Sequence, residues 1–126
     1  MIASLDHLVL TVRDIDVTCR FYAALGMEAR EFAPGRKALH FGKQKINLHQ
    51  AGHEFEPKAQ VALPGTADLC FLVKVPIDEV LQQLQRAGVS VLAGPVERTG
   101  AQGHLRSVYC RDPDGNLIEL SQLLTS

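Results

Sequence analysis

Ile46-Asn47-Leu48-His49-Gln50 and Ile118-Glu119-Leu120-Ser121-Gln122 share one pattern. Apolar residues alternate with polar ones, as in a strand with one buried face. Each segment follows a turn signal, Gly42-Lys-Gln44 in the first case and Asp112-Pro-Asp-Gly-Asn116 in the second. In the latter, Pro presets φ and Gly admits positive φ. Upstream, the likeness continues. Asp16 to Gly26 and Asp78 to Gly88 both span ten positions, each running from a residue able to accept free helix N–H groups to a glycine that ends a helix. Val17, Phe21 and Leu25 form an apolar stripe in the first, and Val80, Leu81, Leu84 and Ala87 in the second. Before each helix stands an apolar strand, Leu5 to Val12 and Asp68 to Val73. A repeat of this kind decides the architecture. The class is α+β: two βαβββ units in one domain, forming a curved mixed sheet with helices on the convex side and a concave pocket.

The first unit covers about residues 4–52 and the second about 67–124, with a linker over 53–66 that holds two prolines and little periodicity. Lys37 to Phe41 and Lys45 to His49 read as a hairpin. In the second unit Val89 to Leu92 and Leu105 to Arg111 read as strands, and the polar, glycine-bearing stretch Val96 to His104 as a loop. With 126 residues, 46% apolar and 21% charged, the chain is long enough for one buried core. A net charge of −1 implies no nucleic-acid or membrane partner. The N-terminal stretch lacks the pattern of a signal peptide, and no apolar run reaches a bilayer-spanning length, so a cytoplasmic location is expected. Cys19, Cys70 and Cys110 fit no zinc spacing, and Cys70 and Cys110 lie in apolar runs as small buried hydrophobes.

Three ionisable residues interrupt the apolar strands at equivalent positions of the repeat: His7, Asp68 and Glu119. A buried acid requires a partner. Two readings follow, a metal or strongly polar site, or a buried His7–Glu119 pair without metal. His49 lies two residues beyond Asn47 and so faces the same side; it is either a further imidazole ligand or a strand-end histidine. Tyr109 is either a pocket hydroxyl or a core residue, and His40 reads as its counterpart in the first unit. Arg98 either clamps an anionic substrate or is solvated. The turn setting of Asp112 and Asp114 makes them structural.

Asp6-His-Leu, Phe21-Tyr with Leu25-Gly-Met27, Asp112-Pro-Asp-Gly-Asn116 and Ile118-Glu-Leu120 together resemble the vicinal oxygen chelate superfamily, which includes glyoxalases, fosfomycin-resistance proteins and extradiol dioxygenases. Within it, Arg36-Lys-Ala-Leu, Asn47-Leu-His, Glu54-Phe-Glu-Pro-Lys58-Ala and Gly94-Pro-Val are similar to the branch called glyoxalase domain-containing protein 5. The resemblance implies the glyoxalase/bleomycin resistance/dihydroxybiphenyl dioxygenase fold. It also implies a divalent metal ion (Fe, Mn, Ni or Zn) that a substrate chelates through two neighbouring oxygens. Carried over position by position, the ligands are His7, Asp68 and Glu119, with Asn47 or His49 as the fourth. Asn47 stands where glyoxalases have Glu, and Asp68 where family members have His. Glu119 doubles as the catalytic proton shuttle, and Tyr109, His40 and Arg98 contact the substrate. The implied protein is a homodimer with composite sites, acting on a small oxygen-rich metabolite as a lyase, isomerase or ring-cleaving dioxygenase. The alternative is a non-catalytic binding protein of the bleomycin-resistance type, which lacks metal ligands.

Overall fold

The structure is a computed structural model and describes residues 1–124. Its elements are β1 (His7–Val12), α1 (Ile15–Ala24), β2 (Glu28–Ala33), β3 (Arg36–Phe41), β4 (Gln44–Gln50), β5 (Asp68–Leu72), α2 (Ile77–Arg86), β6 (Ala93–Thr99), β7 (His104–Arg111) and β8 (Leu117–Leu123). The chain divides after Thr66 into two compact units. Each is a four-stranded mixed sheet with one helix, ordered β1-β4-β3-β2 in unit 1 and β5-β8-β7-β6 in unit 2. The first strand of each pairs parallel with the last, and the other pairings are antiparallel. This is the α+β βαβββ repeat that the sequence predicts.

The repeated segments occupy equivalent places. In β4, Ile46 and Leu48 are buried with Leu10, Val12 and Leu39, and α1 contributes Tyr22 to the unit 1 core. In β8, Ile118 and Leu120 are buried with Val108, and α2 adds Ile77, Val80 and Leu84. The glutamine closing each segment has a shared task. Gln50 Oε1 accepts a hydrogen bond from Ile15 N at 3.2 Å, and Gln122 Oε1 accepts one from Ile77 N at 3.1 Å. Both satisfy an N–H at a helix start, where no intrahelical acceptor exists. Gln50 also donates through Nε2 to the Arg13 carbonyl. Its side chain therefore ties the last strand of the unit to the turn before the helix.

The caps differ from the expectation. Of the two acids in Arg13-Asp-Ile-Asp16, Asp14 caps α1, its Oδ1 accepting from Asp16 N at 2.9 Å and Val17 N at 3.1 Å. Pro76 occupies the cap position of α2 without a side-chain bond, and Asp78 lies in the first turn, where a carboxylate opposes the positive end of the helix dipole. The buried stripe of α1 is Thr18 and Tyr22, one residue on from Val17 and Phe21. Two strands also depart from it. β2, Glu-Ala-Arg-Glu-Phe-Ala, is an edge strand, exposed except at Ala33, so its sequence lacks an apolar alternation. Val89 to Leu92 is not a strand; the edge strand β6 instead takes Ala93 to Thr99, and its part from Val96 onward falls in the stretch expected to be a loop. It carries Pro95, which edge strands tolerate. Its register shifts between Ala93 and Val96. There Gly94 has φ 102°, and a Cβ would lie 2.5 Å from the Ser107 carbonyl oxygen. Among the described residues no helix is long and apolar enough to cross a membrane.

Candidate functional site

Register fixes which side chains share the sheet face opposite the helix. On β8 of unit 2, Glu119 pairs with Cys70 of β5 on one side and Tyr109 of β7 on the other. Paired residues point to the same face. Asp68 lies two residues before Cys70 and shares that face. In unit 1, Asn47 pairs with Val9 of β1 and Ala38 of β3. His7, two residues before Val9, stands to Asn47 as Asp68 stands to Glu119. The repeat therefore places one donor pair, His7 and Asn47, in unit 1 and an equivalent pair, Asp68 and Glu119, in unit 2. It also makes Ala38, not His40, the counterpart of Tyr109. His40 pairs with Lys45 on the same face, one pleat farther along.

Exposure differs from what apolar strands imply. Asp68 is exposed, so it carries no burial cost, and Glu119 is half-buried. His7 is exposed, and its Nδ1 lies 2.8 Å from Asp6 Oδ2. The neighbouring His7 draws the Asp6 carboxyl below its usual range, first through the hydrogen bond and then through charge. Asn47 is buried, and its Oδ1 has no hydrogen-bond partner. His49 is buried rather than at the surface, edge-on to Phe55 at 5.6 Å between ring centroids. Burial lowers its pKa most; Arg36 adds to this and Glu54 opposes it.

Unit 2 contains a cleft of about 390 Å³ on this face. It is lined by Cys70, Leu72 and Glu119, by Leu105 and Leu123, and by the segment from Arg98 to Gln102. Among the described residues, Glu119 is its only carboxylate. Arg98, on β6 rather than in a loop, donates from Nε to the Tyr109 hydroxyl at 3.1 Å, with its guanidinium 5.7 Å from the ring centroid. The tyrosine is thus half-buried and held beside the arginine, at the register position facing Glu119. Asp112 and Asp114 are buried in the turn, where Asp112 Oδ1 accepts from Asp114 N and Asn116 N, both at 2.9 Å, confirming a structural role.

Cys70 corrects the cysteine reading. It is exposed in the cleft, whereas Cys110 is buried. Alternation carries the missed signal: Leu69 and Phe71 face the helix side, so Cys70 must share the face of Asp68. Its thiol pKa is raised, mainly by desolvation, so it stays a neutral donor rather than a thiolate. The other unforeseen residues are Ser107 and Ser121, a buried hydroxyl pair 2.7 Å apart beside Glu119.

The donor types suit a divalent ion: one imidazole, two carboxylates and an amide oxygen. The orphaned Asn47 Oδ1 and the Asp6 contact on His7 Nδ1, which leaves Nε2 outward, fit such a role. Among the described residues, however, no three His, Cys, Asp or Glu side chains stand gathered as a metal cluster.

Comparison with known proteins agrees with this layout. Residues 4–120 match the Glyoxalase/Bleomycin resistance protein/Dioxygenase superfamily. The chain is 58% identical over 123 residues to Virulence protein STM3117 of Salmonella typhimurium, covering 97% of this chain and 85% of that one. The crystal structure of that protein gives a TM-score of 0.95, covering 98% and 99% of the two chains. Glyoxalase domain-containing protein RDO1 of Mycosarcoma maydis is 58% identical over 120 residues, covering 95% of this chain and 68% of its own. The fosfomycin resistance protein FosX of Listeria monocytogenes, in complex with Mn(II) and sulfate, shares the fold at 23% identity, with a TM-score of 0.69 and coverage of 98% and 93%. The chain belongs to the Glyoxalase/Bleomycin resistance protein/Dioxygenase superfamily.

Proposed function

We propose that this chain is a metal-dependent enzyme acting on a small oxygen-rich metabolite, as a glyoxalase-type lyase or isomerase or as a ring-cleaving dioxygenase. The observation that carries the reading is Glu119, the only carboxylate lining the unit 2 cleft among the described residues, at the repeat position equivalent to Asn47. His7, Asp68 and Glu119 would hold the ion, with Asn47 or His49 completing the set. When bound, such an ion acts as a Lewis acid on vicinal oxygens.

The chain's own residues then bind, orient and exchange protons. Glu119 accepts the substrate proton and returns it, a task for a carboxylate within reach of the reacting atom. Ser121 holds its Oε2 through a hydrogen bond of 3.2 Å, which leaves Oε1 for this exchange. Arg98 and the Tyr109 hydroxyl orient substrate oxygens, and His40 contributes from unit 1. Leu72, Leu105 and Leu123 limit water in the cleft. A homodimer completes the proposal, and its mass in light scattering at micromolar concentration tests that part.

A second reading is a binding protein without catalysis. It draws on the lack of a gathered three-ligand cluster among the described residues. Metal content separates the two. Elemental analysis of purified protein should find a first-row ion in wild type and little in Glu119→Ala. Metal-free wild type after purification in metal-supplemented medium would favour the binding protein.

A further inference from the structure

The repeat accounts for the shape of the unit 2 cleft. In unit 1 the residue two places after Asn47 is His49, buried and covered edge-on by Phe55. The equivalent residue after Glu119 is Ser121. Register sets Ser121 between Leu72 of β5 and Ser107 of β7, and pairs Leu105 with Leu123 farther along the same face. A serine thus stands where unit 1 carries an imidazole under a ring. The cleft lies among the neighbours of that serine, with Cys70 and Glu119 on one side and Leu72, Leu105 and Leu123 on the other. Leu72 is 50% exposed and Leu123 41%.

The polar groups of this cleft are unevenly spread. The hydroxyls of Ser121 and Ser107 are engaged with Glu119 and with each other, so this part of the sheet offers a ligand no free donor. Arg98 is the only cation lining the cleft among the described residues, and none of their carboxylates is within ion-pair distance of it. Its Nε is bonded to the Tyr109 hydroxyl and its Nη1 to the Glu97 carbonyl, which fixes the side chain and leaves Nη2 without a partner among the described residues. A guanidinium held in this way takes an oxyanion with little further loss of side-chain freedom. The half-exposed leucines gain in turn when an apolar group covers them. At about 390 Å³ the cleft is at the small end of ligand sites, which span about 300–1,000 Å³. It therefore suits a single ring or a branched chain.

We infer that the unit 2 cleft selects a small acid bearing a compact apolar group: Leu72, Leu105 and Leu123 take the ring or branched alkyl chain, Arg98 takes the carboxylate, and the oxygen-bearing carbon between them lies at Glu119. The inference rests on the small-metabolite reading and narrows its substrate class, but it involves no metal ion. A wholly polar metabolite would leave the leucines wet, and a neutral one would leave Arg98 without a counter-charge.

Cys70 is exposed in the cleft and so reports its occupancy. Alkylation of Cys70 by iodoacetamide, read by peptide mass spectrometry, is followed in full-length protein with mandelate, lactate or phenylethylene glycol, both metal-free and with Mn(II). Lactate has a methyl in place of the ring of mandelate, and the glycol has a neutral group in place of its carboxylate. Mandelate should slow alkylation at about tenfold lower concentration than either of the others. Leu72→Asn should raise the mandelate concentration required by about tenfold, whereas Leu72→Met should leave it near that of wild type. Leu72 is half exposed, so both variants keep the core intact, and the contrast between them reports recognition rather than misfolding. Arg98→Met should abolish the advantage of mandelate over the glycol. Protection by mandelate in protein that binds no Mn(II) would sink the metal reading and leave this inference standing. Equal protection by mandelate and lactate, no protection by mandelate with or without Mn(II), no alkylation of Cys70 in the unliganded protein, or unchanged mandelate protection in Leu72→Asn would overturn it.

Discussion

Ser121 Oγ donates to Glu119 Oε2 across 3.2 Å, and the same oxygen lies 2.7 Å from Ser107 Oγ and 3.2 Å from Cys70 Sγ. A hydroxyl has one hydrogen. With that hydrogen on Glu119, Ser121 accepts from Ser107, and the Cys70 thiol, within hydrogen-bond reach of both, donates to Ser121 or to Glu119. The three residues therefore form a set of donors ending on Glu119, the one carboxylate lining the cleft among the described residues. Ser121→Ala leaves Glu119 without its donor and leaves the buried Ser107 without its acceptor. We expect a stability loss of about 1–2 kcal/mol in denaturant unfolding, together with weaker ion binding. Unchanged stability would show that water replaces Ser121.

Thr18 carries the opposite kind of imperfection. It is fully buried in α1, yet its Oγ1 has no hydrogen-bond partner. Valine has the same shape without the hydroxyl. Removing an unsatisfied buried group is favourable, so Thr18→Val should raise stability by about 1 kcal/mol. Thermal unfolding checks this, and a lower melting temperature would mean that the hydroxyl is bonded in solution.

Cys110 predicts a pH dependence. Burial pushes its thiol up to about 11 from 9.0, with Asp112 adding to the rise. The folded state therefore retains a proton that the unfolded state releases. Its contribution is fully present below pH 9.0 and is lost as pH rises toward about 11. Cys110→Ala should lower stability at neutral pH through the lost packing, but its stability should fall less steeply across that window. Parallel curves for the two proteins would contradict the assignment. In the same spirit, native protein should react with thiol reagents at Cys70 and not at Cys110.

The turn from Asp112 to Asn116 should be the costliest polar site to disturb. Besides its two backbone bonds, Asp112 takes a bond on Oδ2 from Asn116 Nδ2 at 2.7 Å, and Asn116 Oδ1 accepts from Ala67 N at 2.9 Å. The turn thus connects β7, β8 and the entry to β5. Asp112→Ala strands several buried donors and should cost about 2–3 kcal/mol. Asp112→Asn should cost less, since its amide oxygen still accepts. Chemical denaturation of both variants gives the comparison.

The fold was legible because each repeat carries the same instructions: an apolar strand, a ten-position helical span, and a last strand that carries Gln50 or Gln122 near its end. What failed had physical causes. β2 and β6 are edge strands, so one side lacks a neighbour and their residues show no buried alternation. The α1 stripe was displaced because Thr18 and Tyr22, both polar in name, are its buried residues. Strand parity placed Asn47 and His49 on one side of β4, but only the observed register puts Tyr109 on the face of Glu119. It did not reveal exposure, so Asp68 and His7 looked buried when they are not. Nor did it reveal that Phe55, in a stretch without strand or helix, returns to pack on His49 and Arg36.

The central claim is that Glu119 serves a divalent ion. Calorimetric titration of metal-free protein with Mn(II) tests it most directly, comparing wild type with Glu119→Gln, whose amide oxygen still accepts from Ser121 but whose charge is gone. Wild type should show a single saturable site per chain, and the variant an affinity loss of about tenfold or more. No Mn(II) binding by wild type, or equal affinity in both proteins, would contradict it.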